Sequence, residues 1–144
     1  MKIALASDHR GYNLKKYLVE ELNQDYEILD LGTNSTESVD FPIYGIKLGE
    51  AIKNKEADLG IAICGTGIGI SIAANKVKGI MCAKISDATE AKLAKEHNNA
   101  NVIAISGRLH KELAFKIIDK FINTPFSNEE RHVRRNKQID GFIS

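Results

Sequence analysis

The feature that most constrains this chain is a fivefold alternation of short apolar runs with segments of helical periodicity. The apolar runs predict buried strands at residues 2–6, 26–31, 59–64, 80–83 and 102–105. Between these strands, apolar side chains recur at helical spacing and predict five helices, over residues 14–22, 42–52, 69–75, 87–96 and 113–122. Pro42 suits the first turn of the second helix, and Asp87 suits the N-cap of the fourth. Such alternation forms a parallel sheet covered on both faces. We therefore predict a three-layer αβα, Rossmann-like fold with a five-stranded parallel sheet.

The composition shows no break, linker or internal repeat along the 144 residues, so we predict a single domain over residues 1–144. Residues 127–144 follow the last core helix and are polar and rich in arginine. They predict a C-terminal helical tail. Because charged runs are most often solvated surface helices, the tail arginines Arg131, Arg134 and Arg135 have that interpretation as well as a functional one.

The charge balance and the lack of long apolar runs exclude several classes of protein. The net charge is +1, from 20 basic and 19 acidic residues, whereas a nucleic-acid binder carries a basic excess. No apolar run approaches the roughly 20 residues that span a bilayer, and the first residues turn polar too early for a signal peptide. Two cysteines are too few for a disulfide scaffold. We expect a cytoplasmic protein without nucleic-acid or membrane partners.

Most reactive side chains follow the ends of predicted strands. Residues 7–11 follow the first strand, 65–69 the third and 106–108 the fifth. Ligands of open parallel sheets bind at the carboxyl ends of the strands. We therefore expect the functional site where these three loops meet.

The third of these strands ends in a glycine run, Gly65, Gly67 and Gly69. Glycines in this spacing let successive N–H groups point into one concavity, which binds a phosphate or an oxyanion formed during a reaction. A tight strand-to-helix turn explains the same glycines without any ligand. The run is not a Walker loop, and Ile70 and Ile72 stand where a dinucleotide fingerprint needs its third glycine.

Cys64 precedes the glycine run directly, at the predicted mouth of a helix. Such a position favours the thiolate over the thiol. A thiolate beside an oxyanion nest can remove a proton next to a carbonyl, or it can attack as a nucleophile. Cys82 lies within an apolar strand and has the pattern of a small buried side chain.

None of the four histidines has a close metal-ligand partner in sequence, which argues against a structural zinc site. His9 follows a strand end beside Asp8, which favours a ligand contact. His97 lies in a polar corner, where the alternative is a helix C-terminal histidine favoured by the dipole. His110 begins the fifth helix and is predicted to be a surface residue.

Four motifs resemble, in the same order along the chain, those of type B ribose-5-phosphate isomerases. They are Ser7-Asp8-His9-Arg10-Gly11, the run from Cys64 to Gly69 with Ala73-Ala74-Asn75-Lys76, His97-Asn98-Asn99-Ala100-Asn101, and Gly107-Arg108. Together they cover essentially the whole chain. The resemblance implies interconversion of ribose 5-phosphate and ribulose 5-phosphate in the pentose phosphate pathway, without a metal or organic cofactor.

The resemblance also implies a role for each matching residue. Cys64 is then the base that moves a proton between C2 and C1, and His97, with Thr66 nearby, opens the furanose ring. The remaining implied contacts are the backbone N–H groups of Gly65, Gly67, Ile68 and Gly69 to the enediolate, Asp8 and Asn98 to sugar hydroxyls, and His9, Arg108, Arg131 and Arg135 to phosphate. Arginine suits phosphate because its planar fork donates two parallel hydrogen bonds.

Three departures or ambiguities bear on these roles. One branch of the family uses a glutamate base where this chain has Ile70, so Cys64 is the one base available in this loop. Galactose-6-phosphate isomerase subunits are close relatives, and the residues Asp8-His9-Arg10-Gly11 are more similar to the ribose branch. Arg134, next to Arg135, leaves the phosphate contact in the tail open between the two.

The predicted topology separates two of the implied catalytic residues. His97 ends a crossover helix and so lies at the amino edge of the sheet, whereas Cys64 lies at the carboxyl edge. A strand of about five residues is about 17 Å long, too far for both side chains to reach one sugar. We therefore predict a homodimer with sites shared between two chains. The family resemblance implies dimers or tetramers.

Other functions remain open at this point. A hexose-phosphate isomerase acting on allose or galactose 6-phosphate would use the same residues. A non-catalytic module that binds a sugar phosphate would need the anion nest and the arginines alone. A nucleotide- or flavin-binding domain is disfavoured because its fingerprints are missing.

Overall fold

A computed structural model describes residues 1–142 of the chain. The elements alternate as predicted: β1 (Lys2–Ser7), α1 (Tyr12–Leu22), β2 (Glu27–Asp30), α2 (Phe41–Lys53), β3 (Leu59–Cys64), α3 (Ile68–Asn75), β4 (Cys82–Lys84), α4 (Ala88–Asn98), β5 (Val102–Ser106), α5 (Lys111–Asn123) and α6 (Glu130–Asp140). The last two residues of the predicted tail, 143 and 144, lie outside the described residues.

The five strands form one parallel sheet in the order β2-β1-β3-β5-β4, which confirms the predicted Rossmann-like fold. Helices α1, α4 and α5 cover one face, and α2 and α3 cover the other. Strand side chains alternate between the two faces, so that each face has its own apolar core. The first core is built on isoleucines and leucines of β1, β3 and β5, and the second on smaller side chains, Ala4, Ala6, Ala62, Cys64 and Ala104.

The strand order places a topological switch between β1 and β3. The chain winds from β1 outward to β2 and then returns across the sheet to β3, so the helices that follow β1 and β3 lie on opposite faces. The crevice outside the carboxyl ends of two such strands is where open α/β sheets bind ligands. The fold therefore directs the loops after Ser7 and Cys64 toward one place.

The fourth strand begins later than the apolar pattern predicts. We predicted residues 80–83, and the structure has Cys82–Lys84. The Ile80 N–H donates to the Val77 carbonyl, and the Met81 N–H donates to the Asn101 side chain. Both N–H groups are thus hydrogen-bonded outside the sheet, so β4 begins only at Cys82.

The helix boundaries differ from prediction by one or two residues. α3 begins at Ile68, since Gly67, at φ 81°, forms its left-handed N-cap. The predicted capping pair of α4 is present, with the Glu90 N–H donating to Asp87 Oδ1 at 2.8 Å. α4 continues to Asn98, where Asn99 ends it in a left-handed conformation. None of the helices within residues 1–142 has the length and apolar character needed to cross a bilayer.

Candidate functional site

A cavity of about 270 Å³ lies at the carboxyl ends of β1 and β3. The register of the sheet explains why three loops meet there, because Ser7 pairs with Ile63 and Cys64 pairs with Ser106. Six predicted site residues line it, and they are called the carboxyl-edge site below: Asp8, Cys64, Gly65, Thr66, Gly69 and Arg108.

The Cys64 side chain is held by the first turn of the loop that follows it. Cys64 is 5% exposed, and the Gly67 N–H donates to its Sγ at 3.2 Å. Gly67 has a φ of 81°, a left-handed conformation that glycine adopts without steric cost, so the residue that donates to Sγ suits this turn.

Hydrogen bonds within and between loops fix the rest of the glycine run. The Ile68 N–H donates to Thr66 Oγ1 at 3.1 Å, and the Ser106 hydroxyl donates to the Gly65 carbonyl at 2.7 Å. Two N–H groups of the predicted enediolate cradle, those of Gly67 and Ile68, are thus engaged inside the loop. A substrate oxygen reaches them only by displacing Sγ and Oγ1.

The loop after β1 contributes opposite charges to the cavity. Asp8 is 5% exposed, and its Oδ1 accepts hydrogen bonds from the N–H groups of Arg10 and Gly11 at 2.9 and 3.1 Å. Arg10 and Arg108 line the same cavity. One carboxylate that can accept from hydroxyl groups and two cations that can hold an anion are the polar groups a sugar phosphate requires.

His9 lies beside this cavity but does not line it. Its Nδ1 accepts a hydrogen bond from the Val39 N–H at 3.1 Å, which ties the loop after β1 to the long connection before α2. The structure therefore gives His9 a contact that holds this connection. Its contact with phosphate stays a prediction.

The remaining predicted residues lie at the opposite edge of the sheet. His97 and Asn98 end α4, and the tail helix α6 packs against them. The His97 ring lies 4.5 Å from the His132 ring between centroids, and Asn136 Nδ2 donates to the His97 carbonyl at 3.0 Å. We call this group the amino-edge corner: His97, Asn98, His132 and Asn136.

The tail arginines lie on α6 and are exposed. Arg131 pairs with Glu129, and Arg134 pairs with Glu130. None of His97, Asn98, Arg131 and Arg135 lines the cavity that contains Cys64. Within one chain the predicted site is therefore divided into two halves, as the topology led us to expect. Within residues 1–142, no three His, Cys, Asp or Glu side chains are grouped so as to hold a metal ion.

Comparison with known proteins decides the family. The family described as Ribose/Galactose Isomerase matches residues 3–139. The chain belongs to this family. The Escherichia coli family member named ribose-5-phosphate isomerase B is 41% identical over 140 residues, which cover 96% of this chain and 93% of that protein. A Bacillus subtilis protein named a putative sugar phosphate isomerase is 41% identical over 97% of this chain and 96% of its own length.

Solved structures of ribose/galactose isomerases share this fold. Ribose-5-phosphate isomerase B of Clostridium thermocellum superposes with a TM-score of 0.95 at 45% identity, covering 98% of this chain and 96% of its own. The Mycoplasma genitalium enzyme, solved with bound ribulose 5-phosphate, has a TM-score of 0.91 at 40% identity, covering 97% and 94%.

Two residues of the cavity were not among our predicted isomerase site residues, namely Arg10 and Phe41. Arg10 stands between His9 and Gly11 in a polar loop after a strand, a signal that could have identified it. Its side chain covers Gly65, where an added Cβ would lie 3.0 Å from Arg10 Cδ. Phe41 begins α2 after a ten-residue connection, residues 31–40, whose path the local sequence does not specify. It packs against Gly69.

Proposed function

We propose that this chain interconverts D-ribose 5-phosphate and D-ribulose 5-phosphate by an enediolate mechanism. The observation that carries the proposal is the buried Cys64 thiol, hydrogen-bonded by the Gly67 N–H and sharing a cavity with Asp8 and two arginines. The names of the relatives and the ribulose 5-phosphate bound to the Mycoplasma genitalium protein support the same substrates.

In the proposed chemistry, the Cys64 thiolate removes the proton from C2 of the open-chain aldose. The electron pair of the broken C–H bond forms the C1–C2 double bond, and the carbonyl oxygen becomes the enediolate oxygen. Backbone N–H groups of the glycine run stabilise that charge. The O2 hydroxyl proton passes to the enediolate oxygen O1, which becomes the C1 hydroxyl. The O2 electron pair then forms the C2 carbonyl as the C1–C2 double bond takes the proton back from Cys64 at C1, which yields the ketose. No electron leaves the substrate, so the reaction needs no redox cofactor.

Asp8 suits a role in holding the sugar. Its buried carboxylate lies in the same cavity as Cys64, and only Oδ1 is engaged by the loop N–H groups described above. Oδ2 can therefore accept hydrogen bonds from sugar hydroxyl groups. Arg108 lines the same cavity and can provide a cation for the phosphate, the role that the family resemblance implies.

The remaining steps require a second copy of the chain. Ring opening by His97 with Thr66, and phosphate contacts from Arg131 and Arg135, cannot reach the Cys64 of their own chain if the two edges stay apart. We propose a homodimer in which each site combines the carboxyl-edge site of one chain with the amino-edge corner of the other. Exposed apolar side chains on the two packed helices α2 and α3 support this arrangement, since exposed apolar surface marks interfaces: Phe41, Ile43, Ile46, Ile68 and Ile72.

The activity is tested by incubating the full chain with ribose 5-phosphate in heavy water and following the sugar by NMR. We expect ketose formation together with exchange of the transferred hydrogen for deuterium. Allose and galactose 6-phosphates in parallel samples test the hexose alternatives. Binding of ribose 5-phosphate without ketose from any of these sugars would show a binding module instead of an enzyme.

The shared site is tested by mixing two inactive variants, Cys64→Ala and His97→Ala. A mixed dimer contains one site with both native residues, so we expect activity to return after subunit exchange. Two differently tagged Cys64→Ala chains are the matched control, and they should stay inactive when mixed. No recovery, despite exchange shown by co-purification of the tags, would reject the shared site.

A further inference from the structure

The tail helix α6 buries one residue, His132, at the amino-edge corner. Its side chain is 6% exposed, whereas the neighbouring Arg131 and Arg135 are exposed. The His132 ring packs on the His97 ring with an interplanar angle of 32°. His97 itself is about half exposed, with 42% of its side chain accessible. The buried ring thus forms a support for the partly exposed one.

Hydrogen bonds fix the orientation of the His132 ring. Its Nδ1 shares a 2.6 Å hydrogen bond with Ser127 Oγ, and the Glu129 N–H also donates to that hydroxyl at 3.2 Å. The Ser127 N–H donates to the Glu96 carbonyl at 3.0 Å. The connection before α6 is thereby tied to the last turn of α4, the turn that carries His97. A rotation of the His132 ring would break its hydrogen bond to Ser127.

We propose that His132 is a positioning residue for His97, holding its ring in the orientation needed to open the furanose ring of the substrate. The inference rests on the proposed function, because it assigns His132 a part in one step of that reaction. It concerns the ring-opening step alone. Proton transfer is assigned to Cys64 of the carboxyl-edge site, and the inference gives His132 no part in it.

The charges around His132 suit this role. Burial lowers the pKa of His132, the nearby charges of Arg131, His97 and Arg135 lower it further, and Glu129 opposes them. His132 therefore stays neutral near pH 7. A neutral ring can stack on His97 whether or not His97 is protonated. On the α4 side, Glu96 Oε1 lies 3.5 Å from His97 Nε2. His97 thus has an acceptor at one ring nitrogen and a neutral ring against its face.

Sugar chemistry separates ring opening from proton transfer. Ribose 5-phosphate exists mainly as a furanose and has to be opened. Ribulose 5-phosphate stays open, because the hydroxyl that would close its five-membered ring carries the phosphate. Exchange of its C1 hydrogen with deuterium therefore reports proton transfer without ring opening. The test measures both reactions for His132→Ala, His132→Phe and Ser127→Ala in the full chain.

We expect His132→Ala to lower kcat with ribose 5-phosphate by about 10- to 100-fold, while C1 exchange of ribulose 5-phosphate changes by less than about threefold. His132→Phe keeps a stacking ring and should recover part of the lost turnover. Ser127→Ala removes the hydrogen bond to the His132 ring and should give a smaller loss of turnover in the same direction. This variant tests the inference even if His132→Ala does not fold. The matched control is His110→Asn, which changes an exposed histidine and keeps a residue suited to its N-cap position.

Equal losses of turnover and exchange in the His132 variants would show a general structural role and overturn the inference. Unchanged turnover would overturn it as well, and in both cases the proposed function would stand if the native chain is active. A native chain that neither isomerises ribose 5-phosphate nor exchanges ribulose 5-phosphate would overturn the proposed function, and this inference with it.

Discussion

The two edges of the sheet hold their functional side chains in different ways. At the carboxyl edge, backbone groups hold Cys64: the Gly67 N–H, from the loop after β3, donates to Sγ, and the Gly107 N–H, from the loop after β5, donates to the Cys64 carbonyl. At the amino edge, side chains of α6 hold the end of α4, through Asn136 and His132. We expect the first arrangement to be rigid, because both bonds come from backbone at the ends of paired strands, whereas the second depends on the docking of a terminal helix.

The largest expected effect separates the chemistry of the two edges. Cys64→Ala removes the proposed base, so we expect isomerisation and C1 exchange of ribulose 5-phosphate both to fall by about 10³-fold, within the usual range for a catalytic acid–base group. His97→Ala should lower ribose 5-phosphate turnover and leave that exchange largely intact. NMR in heavy water measures both reactions. Retained exchange in Cys64→Ala would remove Cys64 from the mechanism.

A pair of glycines tests the rigidity of the carboxyl edge. Gly67 and Gly79 both have positive φ, 81° and 87°, but an added Cβ at Gly67 would lie 2.9 Å from the Ile105 backbone carbon, and one at Gly79 meets nothing within 4 Å. We expect Gly67→Ala to lower the free energy of unfolding by about 2–5 kcal/mol, from backbone strain plus overlap. Gly79→Ala should cost only the strain, about 1 kcal/mol.

Urea unfolding of both variants measures these costs. Both variants place an alanine at a positive φ and so carry the same backbone strain. The difference between their unfolding free energies therefore reports the overlap with β5. Equal losses of unfolding free energy in the two variants would mean that the loop after β3 moves to accept the added methyl group. The contrast between a rigid and an adaptable edge would then be wrong.

This difference between the edges also explains what the sequence could predict. The apolar pattern predicted the five strands and the fold, and the strand ends identified Asp8, Cys64 and Arg108, because a parallel sheet brings such ends together. The role of His132 could not be predicted, since its contact with His97 joins two helices whose docking is not encoded in local spacing. The burial of Lys15 could not be predicted either, because its position has the pattern of a helix-surface lysine, yet the residue is 1% exposed.

Two ion pairs extend the comparison to charged groups. Near the carboxyl edge, Lys15 Nζ lies 2.6 Å from Asp30 Oδ1, and the same oxygen accepts from the Gly32 N–H. At the amino ends of β1 and β2, Lys2 and Glu27 lie 3.9 Å apart with exposed side chains. We expect Lys15→Met to cost about 1–3 kcal/mol of stability, because Asp30 loses a buried partner yet stays partly hydrated.

Lys2→Met is the matched control, and it should change stability by less than about 1 kcal/mol, as exposed pairs do. Urea unfolding of the two single variants measures both losses of stability. A Lys15→Met loss as small as that of Lys2→Met would show that the buried pair contributes no more than a surface pair.

The second cysteine, Cys82, gives the smallest expected effect on activity. Cys82 begins β4 at the amino end of the sheet, with its backbone N–H and carbonyl bonded by the Asn75 side chain, and burial raises its pKa from 9.0 to about 12. A raised thiol pKa keeps the proton on sulfur across pH 7–9, so little thiolate forms there. We expect Cys82→Ala to retain full turnover. In Cys64→Ala, alkylation of Cys82 by iodoacetamide should be slow and should still accelerate with each step from pH 8 to pH 10. An alkylation rate that levels off near pH 9 would show an ordinary thiol and contradict the raised pKa of Cys82.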